Sequence, residues 1–128
     1  MIGLLDTSVI VARAQAEALD ESALPEAVAI SVLTLAELQV GVLVAADTSV
    51  RARRLETLTR VSQSFQVLAV DEPVALHFAE LKAAARQARR SVKVVDALIA
   101  ATARAHDIPL YTRDADFEGM PGIEVVRV

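Results

Sequence analysis

A parallel α/β sheet covered by helices on both faces is the fold class this sequence predicts, and three observations predict it. Short apolar runs of strand length alternate with longer segments of helical period along the whole chain. Hydrophobic residues make up 54% of 128 residues, enough for one buried core and too apolar for a disordered chain. No internal repeat, low-complexity segment or linker interrupts the alternation, so residues 1–128 are expected to form a single domain.

Taken in order, residues 2–5 are a brief apolar run ending in Asp6 and read as a buried strand. Thr7 or Ser8 can cap a helix through Val9, Ile10 and Val11 to about residue 18, and residues 20–26, with Pro25, form a loop. Residues 27–31 are a second strand and 34–46 a helix. A third helix over about 50–64 turns Leu55 and Leu58 inward and Arg51, Arg53 and Arg54 outward. Residues 66–70 make a third strand. Asp71, or Glu72 with Pro73 at the first helical position, then starts a helix that ends near residue 90.

The stretch 91–117 gives a helix, a tight turn, a strand at 108–112 and an acidic loop. Asp96, Ile99, Ala100 and Ala103 share one helical face, and the small residues of that face suit a helix lying flat on a sheet. Gly119, Pro121 and Gly122 punctuate a turn before a last strand at 123–128.

Composition excludes several functions. The absence of cysteine rules out disulfides, thiol catalysis and Cys–zinc sites, and fits a reducing cytoplasm. Aromatic residues, at 3%, are too few for a stacking platform on single-stranded nucleic acid. Asp6 breaks the N-terminal apolar run, which lacks a basic leader, so no signal peptide is expected. No uncharged run reaches the roughly 20 residues needed to span a bilayer. A soluble, cytoplasmic protein is the expectation. The net charge of −4 counts mildly against a nucleic-acid binder, yet Arg86, Arg89, Arg90 and Lys93 cluster, as do Arg51, Arg53 and Arg54.

The carboxylates carry the chemistry. Parallel sheets bind ligands beyond the carboxyl ends of their strands, at the switch point of the topology. Asp6 follows the first strand and Asp114 and Asp116 follow the fourth, while Asp96 lies at the start of the helix before it. Each has a local reading as well: Asp6 as a helix cap, Asp96 as a first-turn residue, Asp114 and Asp116 as turn residues. Glu37 stands in an almost wholly apolar neighbourhood, where a buried carboxylate needs a partner. Thr34 and Glu37 match a capping box, which would supply one. If the five acids converge, their repulsion calls for a cation. With no cysteine and no neighbouring histidine the donors are all oxygen, favouring Mg²⁺ or Mn²⁺ over zinc. Such sites commonly serve phosphate chemistry.

Four segments carry a resemblance. Residues 4–8 (LLDTS), 36–38 (AEL), 96–101 (DALIAA) and 112–117 (TRDADF), in this order and in a chain this short, resemble the PIN domain, and more narrowly the VapC-type toxin ribonucleases of bacterial toxin–antitoxin pairs. The likeness spans residues 2–128. It implies a three-layer α/β/α fold with a central parallel sheet of order 3-2-1-4-5 and Mg²⁺- or Mn²⁺-dependent cleavage of RNA. Asp6, Glu37 and Asp96 match the core acids of the family and Asp114 its fourth position, with Asp116 next to it an additional candidate for the metal. Thr7, Ser8 and Thr112 match polar positions beside the metal. The resemblance also implies a homodimer and a VapB-type antitoxin that holds the toxin inactive.

Beside these acids, Arg89, Arg90 and Lys93 are expected to contact RNA phosphate. Arg113 either does the same or screens the carboxylates. Arg51, Arg53 and Arg54 read as a solvated face, and His77 and His106 as structural. Two other classes compete. A phosphoacceptor receiver domain has similar length, but it needs two adjacent acids near the first strand, and Asp6 is flanked by Leu5 and Thr7. A metal-binding interaction module would bind the cation without cutting RNA.

Overall fold

The computed structural model describes residues 1–128. In chain order it contains β1 (Ile2–Leu5), α1 (Thr7–Ala14), β2 (Ala27–Ser31), α2 (Val32–Val44), α3 (Thr48–Ser64), β3 (Gln66–Leu68), α4 (Glu72–Gln87), α5 (Val94–His106), β4 (Leu110–Thr112) and β5 (Val125–Arg127). Short 3-10 turns occupy Glu21–Ala23 and Ala115–Phe117. The five strands form one sheet in the order β3-β2-β1-β4-β5, with every neighbouring pair parallel. This is the expected order. It makes β1 and β4 neighbours, with Leu4 beside Leu110 and Leu5 beside Tyr111. The chain fills the sheet outward from β1 in one direction and then from β4 in the other, so the switch point lies between the strands that carry Asp6 and Asp114.

Alternation along the strands gives each face of the sheet its own core. Leu4 and Leu110 pack with Val74 and Leu81 of α4 and Ile99 and Ala100 of α5. Leu5, Ile30 and Tyr111 pack with Val9 and Ile10 of α1, Leu38 of α2 and Val61 of α3. The small residues of α5 let that helix lie close to the sheet, as expected: Ala97, Ala100, Ala101 and Ala103 are fully buried.

Helix starts differ from the sequence reading in one place that matters. Ser31 ends β2 and also caps α2, its hydroxyl accepting from the Leu33 N–H at 3.1 Å. The helix therefore begins at Val32, Thr34 lies inside it, and no capping box exists between Thr34 and Glu37. The burial inferred for Glu37 also fails: its side chain is exposed, because α2 buries only the face of Leu38 and Val42 and leaves other apolar residues outside, Val40 at 56% and Leu43 at 64%.

Leu55, expected to face inward, is 49% exposed. Helix α3 packs against α2 and buries only Val61, so Leu55 falls on the outer side. The outward arginines of α3 do more than meet solvent. Arg54 donates to the Gly41 carbonyl at 2.8 Å and Arg51 to the Leu43 carbonyl at 3.3 Å, placing positive charge at the C-terminal end of α2. Helix α1 stops at Ala14 rather than 18, β3 at Leu68 rather than 70, and α4 at Gln87 rather than 90.

Candidate active site

The carboxyl ends of β1 and β4, the first turn of α1, the second turn of α2 and the first two turns of α5 enclose an open cleft of about 450 Å³. Asp6, Glu37, Asp96 and Asp114 all line it, together with Thr7, Ser8 and Lys93. Four carboxylates from positions 6 to 114 thus converge at one rim of the sheet. Val94, Val95 and Ile99 supply an apolar wall that the sequence reading did not foresee.

Asp6 is the most enclosed of the four, 4% exposed at the end of β1, with its backbone N–H on the Tyr111 carbonyl at 3.0 Å. Both of its oxygens are held. Oδ1 accepts from the Ser8 N–H at 2.9 Å and from the Ser8 hydroxyl, and Oδ2 accepts from the Thr112 hydroxyl at 2.6 Å. It is therefore a helix cap as well as a cleft residue, so its two sequence readings are compatible. Burial pushes its carboxyl above the ordinary aspartate value of 3.8, against the lowering effect of the Ser8 and Thr112 bonds.

The same two hydroxyls tie the acidic loop to β1. Thr112 Oγ1 accepts from the Asp114 N–H at 2.9 Å, and Ser8 Oγ from the Arg113 N–H at 3.1 Å. Asp114 Oδ1 in turn accepts from the Asp116 N–H at 2.9 Å. On the other side, Thr7 Oγ1 lies 2.6 Å from Glu37 Oε1 and 3.1 Å from Thr34 Oγ1. A hydroxyl has one proton and the carboxylate is the stronger acceptor, so Thr7 aims Glu37 while Thr34 braces Thr7. Thr34 is fully buried, and its three-residue spacing from Glu37 on one helix face was the signal that could have revealed this.

Carboxylate oxygens of Asp96, Asp114 and Asp116 lie within 4.8 Å of one another. The Asp96 carboxyl is raised above 3.8, first by burial and then by the Asp114 charge, with Lys93 pulling the other way. An all-oxygen donor set under mutual repulsion fits a hard divalent cation. Asp116 is exposed and sits beside Asp96 and Asp114 rather than in the wall of the cleft.

The basic residues divide. Lys93 lines the cleft, whereas the Arg89 side chain is exposed past the end of α4. Arg90 donates to the Asp116 carbonyl and Arg113 to Glu17 at 2.6 Å, so a phosphate contact from either guanidinium must displace an existing bond. His77 and His106 lie on α4 and α5, and neither lines the cleft.

A PIN domain model matches residues 3–123. The chain belongs to the PIN domain family. This PIN domain is 43% identical to ribonuclease VapC5 of Mycobacterium tuberculosis over 98% of its length and 95% of that protein. It is 50% identical to ribonuclease VapC8 of the same organism over 80% of its length and 90% of that protein. It superposes with a TM-score of 0.90 on the solved VapBC-5 toxin–antitoxin structure from Mycobacterium tuberculosis, at 42% identity, covering 99% of this chain and 98% of that one. These likenesses place it with the VapC-type PIN domains. No helix is long and apolar enough to cross a membrane.

Proposed function

We propose that this PIN domain is a metal-dependent endoribonuclease acting as the toxin of a VapBC-type pair, inhibiting translation until its antitoxin neutralises it. The observation that carries the reading is the convergence of Asp6, Glu37, Asp96 and Asp114 in one cleft at the switch point of the sheet. The names of the VapC5 and VapC8 relatives support a ribonuclease, and the solved VapBC-5 complex supports an antitoxin partner. The exposed apolar residues of α2, Val40, Leu43 and Val44, offer surface for such partners, a VapB-type antitoxin or a second copy of the chain.

Asp6, Asp96 and Asp114, with Asp116 beside them, would hold Mg²⁺ or Mn²⁺, and Glu37 would act on it directly or through water. Bound there, the cation supplies Lewis-acid activation of water and neutralises charge on the scissile phosphate. The chain does the rest. Ser8 and Thr112 fix the orientation of Asp6 and keep its carboxylate supplied with donors despite burial. Thr7 holds one oxygen of Glu37, which lines the cleft, and the other oxygen is left to orient a nucleophilic water or take its proton. Lys93 draws the RNA backbone to an otherwise acidic cleft.

The test is incubation of the purified chain with total RNA in Mg²⁺, in Mn²⁺ and in chelator. Cleavage is expected only with the cation, and Asp6→Asn or Asp96→Asn should reduce it by about a hundredfold or more. Cleavage in chelator, or at the parent rate in Asp96→Asn, overturns the reading. Metal binding without cleavage favours an interaction module.

A further inference from the structure

The acidic loop between β4 and β5 is fastened from behind by two arginines. Arg127 Nη2 donates to the Arg113 carbonyl at 2.9 Å and Arg127 Nη1 to Glu118 Oε1 at 2.8 Å, bracketing the acidic half of the loop. Arg90 Nη2 donates to the Asp116 carbonyl in its middle. Beneath these bonds, Phe117 is buried in the core.

The approach of Arg90 is prepared by the end of α4. Arg89 takes a left-handed backbone, φ 55°, its N–H returning to the Arg86 carbonyl at 3.1 Å while the Arg90 N–H reaches the Ala85 carbonyl at 2.8 Å. This paired closure reverses the chain and fixes the point from which the Arg90 side chain departs. On the far side, Gly119 has φ 81°, and a Cβ there would stand 3.3 Å from Arg90 Nη1. A residue without a side chain keeps that berth open.

Of the three loop-anchoring bonds, two end on main-chain carbonyls and one on the Glu118 carboxylate; none ends on the Asp114 or Asp116 carboxylates. The choice of acceptor matters. Asp96, Asp114 and Asp116 repel one another, and a freely moving loop would relax by carrying its two aspartates away from Asp96. A guanidinium on a carboxylate would stop this by occupying the lone pairs a cation needs. A guanidinium on a carbonyl resists the same movement and leaves those lone pairs free.

We infer that Arg90 and Arg127 are positioning residues that hold Asp114 and Asp116 in register with Asp96 for a divalent cation. This rests on the metal-dependent reading above. It gives Arg90 to the loop rather than to substrate phosphate.

The experiment measures Mn²⁺ binding to the purified full chain by loss of the free-ion electron paramagnetic resonance signal, with RNA cleavage and amide hydrogen exchange alongside. Arg90→Ala and Arg127→Ala should each raise the Mn²⁺ dissociation constant, and the Mn²⁺ concentration for half-maximal cleavage, by about tenfold. Amides 114–119 should exchange faster, and KM for RNA at saturating Mn²⁺ should not move. Arg90→Lys still donates to one carbonyl and should restore most of the affinity. Arg127→Lys cannot fork between a carbonyl and Glu118 and should restore less. Parental Mn²⁺ affinity in both alanine variants overturns the inference. So does a raised KM with unchanged Mn²⁺ half-saturation in Arg90→Ala, which would make Arg90 a phosphate contact. Should an alanine variant fail to fold, equal Mn²⁺ affinities in the two lysine variants overturn it. A parent that binds Mn²⁺ without cutting RNA leaves the clamp standing and ends the nuclease proposal, while a parent that binds no Mn²⁺ ends both.

Discussion

Replacing Asp96 by asparagine should stabilise the metal-free protein. Carboxylate oxygens of Asp96, Asp114 and Asp116 come within 4.8 Å of one another, and each pair at that separation repels by about 0.9 kcal/mol in a water-like medium and about 3.5 kcal/mol at an effective dielectric of 20. Asp114 is half-buried and Asp116 exposed, so the water-like end applies, and the two pairs made by Asp96 sum to about 2 kcal/mol. Against this stand the pull of Lys93 and the N-terminal dipole of α5, the latter worth about 0.3–1 kcal/mol. The raised Asp96 carboxyl fixes the sign, since repulsion and burial together outweigh attraction. Asn keeps the shape, and no hydrogen bond to the carboxylate is lost. A net gain of about 1 kcal/mol follows, or about 3–5 °C in Tm for a domain of this size. Thermal unfolding in chelator and in Mn²⁺ is the assay. A cation at a hundred times its Kd adds about 2.7 kcal/mol to the parent and nothing to a variant that cannot hold it, so the order of Tm values should invert. Asp96→Asn melting below the parent in chelator, or both proteins gaining equally from Mn²⁺, would refute the reasoning.

Four further outcomes can be checked. Burial raises both Asp6 and Asp96, and the Asp114 charge adds to it at Asp96, so the folded protein keeps protons that the unfolded chain has released. Metal-free stability, followed by urea midpoints, should therefore fall as pH rises from the ordinary aspartate value of 3.8 through the raised values. Asp47, lowered chiefly by the Ser49 hydroxyl, acts in the opposite sense and loses its contribution as pH drops below 3.8. Thr112→Val deletes the donor to Asp6 and the acceptor of the Asp114 N–H. Unfolding in denaturant should show a loss of about 2–4 kcal/mol, and cleavage should fall with it. Glu37→Gln removes an exposed charge and should lower cleavage at least about tenfold while leaving Tm within about 2 °C. Gly3→Ala sets a Cβ 2.3 Å from the Tyr111 ring and 2.9 Å from Pro25, and calorimetry should register a loss of about 1–3 kcal/mol.

The strands and the acids were legible in the sequence because both are local signals. Residues 2–5 announce a buried strand by being short and apolar, and Asp6 announces its end. The neighbouring of β1 and β4 followed from the family likeness, and the cleft follows from that adjacency. What escaped was set by partners distant in sequence. Thr34 looks like a cap until Ser31 is seen to serve as one with no residue between strand and helix. Leu55 looks inward until α3 is seen to pack chiefly on α2, with Val61 and Leu58 alone turned to the sheet-side core. Arg90 and Arg113 look like free cations, and no local pattern reveals that the Asp116 carbonyl and Glu17 claim them.

The joint at Ser31 leaves α2 no slack. An inserted residue there would turn the helix by about 100° about its axis, carrying Glu37 off Thr7 and Leu38 out of its core, without changing a single side chain of either element. The connection from α1 to β2, residues 15–26, holds only one short 3-10 turn and lines no part of the cleft. Length variation should thus accumulate in that connection and be purged at position 31, so a library of single-residue insertions scanned for growth inhibition would map the two tolerances directly.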